Sequence, residues 1–147
     1  MYTVDTSVWV NSFDQREPGH AVSRQILQHL AGQGMPFFVP HLVLVEVAGA
    51  ISRSRQDVAQ AQAFATALSQ LPNVTFIALD EPLAMQALIL AAQHSLRGAD
   101  AVFAAVALQE ACLLISLDNE HLTRLKSVVT VWTPGDALSN LALPPET

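Results

Sequence analysis

Short apolar runs alternate with longer helical stretches along this chain, and this alternation limits the fold more than any other feature of the sequence. The runs have the length of strands, and the stretches between them repeat apolar residues with helical spacing. Strands separated by helices favour a mostly parallel sheet with helices on both faces. The pattern predicts strands over residues 2–5, 37–39, 74–79, 112–117 and 128–132, helices over 7–13, 19–31, 42–53, 57–70, 81–94 and 100–110, and a helical turn over 119–125.

Acidic residues stand at the ends of two predicted strands. Asp5 closes the first strand, and Asp118 comes directly after the fourth. In open parallel sheets, ligands bind beyond the carboxyl ends of the strands, at the point where the strand order reverses. We therefore expect both carboxylates to lie at the same rim of the sheet.

Two further acids lie in apolar helices. The residues three and four positions before and after Glu46 are all apolar, which places this glutamate on a stripe that should face the core. Asp100 is predicted to open an alanine-rich helix, and the N-terminal dipole of that helix would stabilise its negative charge. Both positions would ordinarily carry an apolar or neutral residue.

Three of these four acids also have a plain structural explanation. Asp5 and Asp100 can cap helices, and Asp118 can close a turn. Glu46 cannot be a cap, although it can reach solvent if its helix is rotated. Carboxylates gathered without cations repel one another and lose hydration, so the four together predict a bound positive ion. Only Arg97, among seven Lys and Arg residues, lies within a few positions of any of them, which favours a divalent metal.

Composition limits the domain number and the partners. A chain of 147 residues fits one domain. Hydrophobic residues make up 51% of the chain and charged residues only 14%, against about 25% charged in typical domains. This predicts a homodimer or another permanent partner, because a monomer would expose much apolar surface. The net charge of −6 argues against strong non-specific binding along a nucleic-acid backbone, so any nucleic acid must be held locally.

The compartment is also constrained. Cys112 is the only cysteine and lies in an apolar run, which excludes a disulfide framework and favours a reducing cytoplasm. Residues 1–5 lack the basic and apolar regions of a signal peptide, and no run of about 20 apolar residues is present. We expect a soluble cytoplasmic protein that does not interact with a membrane.

Other site chemistries are not favoured. The glycines lack the spacing of a phosphate-binding loop, and no nucleophile elbow is present. The histidines show no i, i+4 pairing and no cysteine company, so we expect surface or capping roles and no zinc site. They are His20, His29, His41, His94 and His121.

Four segments together resemble the motifs of PIN-domain ribonucleases, and most of all those of the VapC-type toxins of bacterial toxin–antitoxin pairs. The match covers nearly the whole chain in order and spacing, and it is specific only as a set. The segments are VDTSVW at 4–9, LVEV at 44–47, RGADA at 97–101 and LISLD at 114–118, followed by the ending VWTP at 131–134.

The resemblance implies a three-layer α/β fold whose parallel five-stranded sheet has the order 3-2-1-4-5. The PIN domain would then span residues 1–134. We expect residues 135–147, which contain two consecutive prolines, to form a C-terminal tail that is partly ordered or packed on a neighbour.

The resemblance also implies a metal-dependent endoribonuclease that acts as a toxin and leaves 5′-phosphate and 3′-hydroxyl ends. The family's catalytic and metal-binding acids carry over onto Asp5, Glu46, Asp100 and Asp118. Such an all-oxygen set suits one or two Mg²⁺ or Mn²⁺ ions. The implied substrate is single-stranded or looped RNA, such as tRNA or mRNA, and the implied partner is a cognate antitoxin that places a basic side chain in the acidic pocket.

Further residues are expected to assist this site. The candidate hydroxyl helpers are Thr6 or Ser7, and Ser116. Ser116 occupies a place where threonine is common in the family. The segment 119–122 lacks the frequent aspartate–phenylalanine pair, and Glu120 is the candidate for the missing second acid. Basic residues beside the acid motifs are candidates for phosphate contacts, or are ordinary solvated arginines. They are Arg97, Arg53 and Arg55.

Three alternatives compete with this hypothesis. A haloacid-dehalogenase-type phosphatase needs a second aspartate two residues after the first, and Ser7 stands there. A response-regulator receiver needs an acidic pair at that place and a lysine after the late strands, and this sequence does not fit that pattern. A catalytically weak PIN-like module that binds RNA or a partner protein would keep the fold and lose the acids, whereas all four acids are present.

Overall fold

The computed structural model describes residues 1–141. The last six residues of the predicted C-terminal tail, 142–147, lie outside the described residues. The remainder of that segment belongs to a short helix, Pro134–Asn140, which buries Ala137 and Leu138 against the rest of the chain. No helix within the described residues is both long and apolar enough to cross a membrane.

Five parallel strands form one sheet in the order β3-β2-β1-β4-β5, which confirms the predicted fold class. Strands β4 and β5 are shorter than predicted, because the chain leaves the ladder after Ile115 and enters it only at Val131. The strands are β1 Tyr2–Val4, β2 Phe37–Pro40, β3 Val74–Ile77, β4 Leu113–Ile115 and β5 Val131–Trp132.

Eight helices connect and follow these strands within the described residues. Several begin at side-chain caps that the sequence indicates: Asp57 accepts from the backbone N–H of Gln60, and Asp80 from that of Leu83. The helices are α1 Thr6–Phe13, α2 His20–Gly32, α3 Leu42–Arg55, α4 Val58–Ser69, α5 Glu81–His94, α6 Gly98–Gln109, α7 Asn119–Arg124 and α8 Pro134–Asn140.

The two faces of the sheet bury separate apolar clusters. Adjacent strand residues point to opposite faces, so Leu114 belongs to the cluster under α5 and α6, while Ile115 belongs to the cluster under α1–α4 and α8. Helix α6 is buried almost all round, from Asp100 to Ala107. Cys112 is buried as expected, and burial raises the pKa of its thiol.

The central pair of strands sets the position of the site. Strands β1 and β4 run side by side with Val4 opposite Ile115, and the N–H of Asp5 donates to the Ile115 carbonyl over 3.0 Å. The chain therefore leaves both strands at the same rim, where Asp5 and Ser116 follow directly. Strand order reverses at this point, which is where ligands of parallel sheets bind.

Candidate active site

One pocket at the carboxyl rim of the sheet contains all four acids predicted from the sequence. Its volume is about 250 Å³. The acids come from four separate segments: the ends of β1 and β4, the middle of α3 and the first turn of α6. The lining consists of Asp5, Glu46, Asp100 and Asp118 together with Thr6, Ser7, Arg97 and Ala99.

Asp5 both caps helix α1 and lines the pocket, so its capping role does not exclude a role at the site. Its side chain is almost fully buried. The Oδ2 atom accepts from the Ser7 hydroxyl over 2.5 Å and from the Ser116 hydroxyl over 3.1 Å. These bonds hold the Asp5 carboxylate in one orientation at the floor of the pocket.

Glu46 turns into the pocket from α3 and is only half-buried. Its Oε2 atom accepts from the Thr6 hydroxyl over 2.6 Å. Burial raises the pKa of Glu46, and the neighbouring charges of Asp5 and Asp100 raise it further, while the Thr6 bond opposes the shift. The negative charge of ionised Glu46 is therefore not balanced by an ion pair with any Lys or Arg of the described residues.

Asp100 lies in the first turn of α6 and does not open the helix. The helix begins two residues earlier, at Gly98, with Arg97 as its N-cap. Asp100 still lies within the reach of the helix dipole. Burial raises the pKa of this carboxyl, and the hydrogen bond from Arg97 opposes the rise.

Arg97 joins two of the acids. Its Nε atom donates to Oδ2 of Asp100 over 2.9 Å, and its Nη2 atom donates to Oδ2 of Asp118 over 2.6 Å. The side chain is 65% exposed. The Asp118 carboxylate also caps α7 through the backbone N–H of Glu120. Arg97 thus matches part of the negative charge, while the described residues supply no ion pair from Lys or Arg to Asp5 or Glu46.

The remaining predicted helpers differ in their placement. Ser116 is fully buried and lies beneath the pocket, where its hydroxyl accepts from the N–H of Asp118 over 2.9 Å. Glu120 lies behind Arg97, with its Oε2 atom 3.7 Å from the arginine Nε, and it is not among the residues that line the pocket. The structure therefore does not place Glu120 in the acid site where the sequence predicts it.

Arg53 and Arg55 do not reach this pocket. Arg55 donates to Asp14 over 2.8 Å and lies over the ring of Phe13, with its guanidinium carbon 5.7 Å from the ring centroid. Arg53 is exposed and folds back along α3 toward Gly49. Of the three predicted phosphate contacts, only Arg97 lines the site.

His121 is the residue at this site that sequence reasoning missed. The expectation of a surface or capping role is wrong, because its side chain is completely buried. Its Nδ1 atom lies 2.9 Å from Ser116 Oγ, and its Nε2 atom lies 3.1 Å from the backbone oxygen of Asp100. The one available hint was its place in the segment after Asp118, where the family pattern carries an aromatic residue.

The site suits a hard divalent cation by its donor set, although the acids do not form a ready cage. Within residues 1–141, no three His, Cys, Asp or Glu side chains lie close enough together to hold a metal as they stand. Mg²⁺ commonly uses only one or two carboxylates, and water and substrate phosphate complete its octahedral shell. Carboxylate and hydroxyl oxygens with no thiolate fit that requirement.

A second pocket of similar volume, about 250 Å³, lies between α2 and α4. Its lining is almost entirely apolar and includes Leu27, Phe64 and Leu68. It contains no carboxylate, imidazole or thiol that could carry out chemistry. Reactive groups therefore distinguish the acidic pocket from this apolar one, whereas volume does not.

Comparison with known proteins agrees with this architecture. A family model described as PIN domain matches residues 2–127. A comparison of the sequence with curated proteins gave no match.

Solved structures with this fold come from several bacteria. VapC20 of Mycobacterium tuberculosis, a sarcin–ricin loop cleaving toxin, has a TM-score of 0.70 at 20% identity, covering 81% of this chain and 91% of its own. A toxin–antitoxin complex from Klebsiella pneumoniae has a TM-score of 0.68 at 20% identity, covering 91% and 98%. VapBC2 of Rickettsia felis, bound to a DNA fragment from its promoter, has a TM-score of 0.67 at 16% identity, covering 90% and 97%. At these identities the likeness concerns the fold.

Proposed function

Because the chain belongs to the PIN-domain family, we propose that it is a divalent-metal-dependent endoribonuclease that acts as the toxin of a toxin–antitoxin pair. The observation that carries the proposal is the convergence of four acids from distant segments on one pocket at the switch point of the sheet. Hydrolysis of an RNA phosphodiester bond is the chemistry that a hard-cation site of this kind serves.

We assign Asp5 and Asp100 as the principal ligands of one or two Mg²⁺ or Mn²⁺ ions. Asp118 would bind directly or through water, and Glu46 would bind directly or orient the attacking water. When bound, such an ion supplies Lewis acidity toward the phosphate and makes water a better nucleophile at neutral pH. The raised pKa values of Glu46 and Asp100 support this assignment, since burial penalises the charged form of both carboxylates and a bound cation would offset that penalty.

The hydroxyl groups around the acids would keep them in place. Thr6 holds Glu46, and Ser7 and Ser116 both hold the same oxygen of Asp5. Carboxylates fixed in this way lose less freedom when a ligand binds, which favours binding.

Arg97 is the residue best placed to contact RNA. It lies at the mouth of the pocket, its side chain is largely exposed, and its guanidinium can make paired hydrogen bonds to phosphate. With a net charge of −6, the protein cannot attract RNA along an extended basic surface, so the contact would be local. Single-stranded or looped RNA, such as tRNA or mRNA, remains the proposed substrate class.

A cognate antitoxin is the proposed protein partner. Proteins with this fold include toxin–antitoxin complexes, and an acidic pocket would attract a basic side chain from such a partner. In this structure Arg97 already contacts Asp100 and Asp118 in that manner. An antitoxin cation entering the pocket would compete for the same oxygens as the metal.

We also propose that the protein is a homodimer. Helix α5 exposes Met85, Leu88 and Ile89, each about half accessible, on consecutive turns of one face. Exposed Leu79 precedes the same helix. A chain with only 14% charged residues that leaves this stripe uncovered is expected to bury it against a second copy.

The experiment that tests the function is incubation of purified protein with total RNA, with and without Mg²⁺ or Mn²⁺, followed by mapping of new 5′ ends. We expect cleavage that needs the metal, that chelation abolishes, and that Asp5→Asn and Asp100→Asn each remove. Asp57→Asn is the matched control, since Asp57 is an exposed cap of α4 outside the pocket. Cleavage that persists in both pocket variants, in protein free of contaminating nuclease, would refute the proposal.

One observation favours a second candidate, a catalytically weak PIN-like module that binds RNA or a protein. Arg97 neutralises two of the acids, and no ready metal cage exists within the described residues. Such a module would bind RNA or a partner equally well in EDTA and in Mg²⁺. The same incubation separates the two functions, because the module leaves the RNA intact.

A further inference from the structure

We propose that His121 is a positioning residue that ties together three of the four acids from beneath the pocket. This inference rests on the proposed function, since it concerns how the metal-binding carboxylates are held. His121 belongs to α7, directly behind the rim formed by β1 and β4. Its ring is completely buried, so every polar contact it makes is with the protein itself.

The contact with α6 identifies one proton position on the ring. The backbone oxygen of Asp100 can only accept a hydrogen bond, and it lies 3.1 Å from His121 Nε2. Nε2 must therefore carry a proton and donate it to this carbonyl. The bond connects α7 to the first turn of α6, where the Asp100 side chain begins.

The opposite nitrogen reaches the other two acids through a single hydroxyl. His121 Nδ1 lies 2.9 Å from Ser116 Oγ. The same oxygen donates its one proton to Oδ2 of Asp5 over 3.1 Å and accepts the backbone N–H of Asp118 over 2.9 Å. While that proton points to Asp5, the hydrogen bond between the ring and Ser116 must be donated by Nδ1. One imidazole thus contacts the backbone of Asp100 directly. It is linked to Asp5 and Asp118 through the Ser116 hydroxyl.

The ring also lies near two of the carboxylates themselves. Nδ1 is 3.9 Å from Oδ2 of Asp5, and Nε2 is 3.8 Å from Oδ1 of Asp100. These distances exceed a hydrogen bond, so His121 acts through Ser116 and the Asp100 backbone and does not touch a substrate. A purely apolar residue of similar size would fill the same space without fixing any of the three acids.

Loss of such supporting hydrogen bonds behind metal ligands typically lowers metal affinity or activity by about 10- to 100-fold. The test compares wild type with His121→Phe, which keeps an aromatic ring and removes both bonds. His121→Asn can restore a polar atom near the Nδ1 position, and His121→Gln one near the Nε2 position. His29→Phe is the matched control, because His29 lies on α2, away from the pocket.

We expect His121→Phe to bind Mn²⁺ about 10- to 100-fold more weakly in calorimetry and to lower kcat, with the KM for RNA little changed. His121→Asn or His121→Gln should recover part of the Mn²⁺ affinity. If His121→Phe binds Mn²⁺ as tightly as the wild-type protein does, the inference is overturned. A wild-type protein that neither binds Mn²⁺ nor cleaves RNA would instead overturn the proposed function.

A measurement on the unaltered protein decides the matter even where a variant fails to fold. Ring ¹⁵N spectra of metal-free wild type should show a proton on Nε2 of His121 that exchanges slowly with solvent. A ring whose only proton is on Nδ1 cannot donate to the Asp100 carbonyl and would overturn the inference. Ser116→Ala should shift the ¹⁵N resonance of Nδ1 more than that of Nε2, because only Nδ1 faces this hydroxyl. Equal shifts would contradict the proposed path through Ser116.

Discussion

Arg97 donates a hydrogen bond to Asp118 over 2.6 Å and so links the start of α6 to the start of α7 across the acidic pocket. The same guanidinium donates to Asp100, so it covers oxygens that we assign to the metal. A cation that binds these two Oδ2 atoms must displace Arg97 from them. The exposed position of the side chain allows it to turn outward without unpacking the core.

Arg97→Ala should therefore strengthen metal binding and weaken RNA binding. Exposed ion pairs are worth about 0.2–1 kcal/mol, so we expect at most about a fivefold gain in Mn²⁺ affinity. The KM for RNA should rise because a phosphate contact is lost. Calorimetry and steady-state kinetics measure the two effects. Arg24→Ala, at an exposed position on α2, is the control that should change neither. An unchanged Mn²⁺ affinity in Arg97→Ala would show that the guanidinium does not compete with the metal.

Glu46→Gln should stabilise the metal-free protein while lowering activity. Burial and the charges of Asp5 and Asp100 raise the pKa of Glu46, so its ionisation costs folding free energy. This cost in folding free energy appears as the pH rises above 4.5, the ordinary pKa of the group. It is complete once the pH exceeds the raised pKa. Gln can keep the bond from Thr6 without the charge.

We expect a higher melting temperature for Glu46→Gln at pH 7 in EDTA, and a difference that shrinks as the pH falls through the raised pKa toward 4.5 and is lost below 4.5. Calorimetric scans across this pH range measure it. Glu81→Gln is the control, because Glu81 is exposed in the first turn of α5, where its charge is favourable. Equal melting temperatures for wild type and Glu46→Gln at pH 7 would contradict the argument.

Leu88→Glu should convert the proposed homodimer to a monomer. The substitution places a charge in the middle of the exposed apolar stripe of α5, where burial against a second copy would desolvate it. Sedimentation velocity distinguishes the 15.8 kDa chain from a dimer. Val58→Glu, at a similarly exposed position on α4, should leave the dimer intact. A dimer that survives Leu88→Glu must use another surface.

Phe37→Ala should cost about 3–5 kcal/mol of folding free energy, as is typical for removal of a buried aromatic ring. Phe37 is 1% exposed, and its ring centroid lies 6.0 Å from that of Trp9 and 6.5 Å from that of Tyr2. Urea unfolding measures the loss. Val58→Ala, at a position that is 63% exposed, should cost much less. A loss below about 1 kcal/mol for Phe37→Ala would mean that β2 is not packed as described.

The acid site shows how far local sequence pattern can lead. Asp5 and Asp118 were predicted at one rim because parallel strands end together, and the observed pairing of β1 with β4 places them there. Glu46 was predicted from its apolar neighbours, which is a property of one helix alone. The strand order came from the family resemblance, because periodicity identifies strands but does not say which of them are neighbours.

Two features of the site followed no local pattern. Arg97 was expected to contact phosphate, and nothing in its neighbourhood indicated that it would reach Asp118, which is 21 residues away. His121 was expected in a surface or capping role, because the histidines show no i, i+4 pairing and no cysteine company. Its burial depends on α7 folding back beneath the pocket.

The sequence by itself determined the alternation of strands and helices and the carboxylates at the strand ends, since both depend on residues close together in the chain. Only the tertiary structure decided which charges meet, which acids Arg97 neutralises and which hydroxyl His121 holds. Those outcomes depend on distances of 2.6 to 3.8 Å between separate elements, and such distances are set by the packing of the whole domain around its sheet.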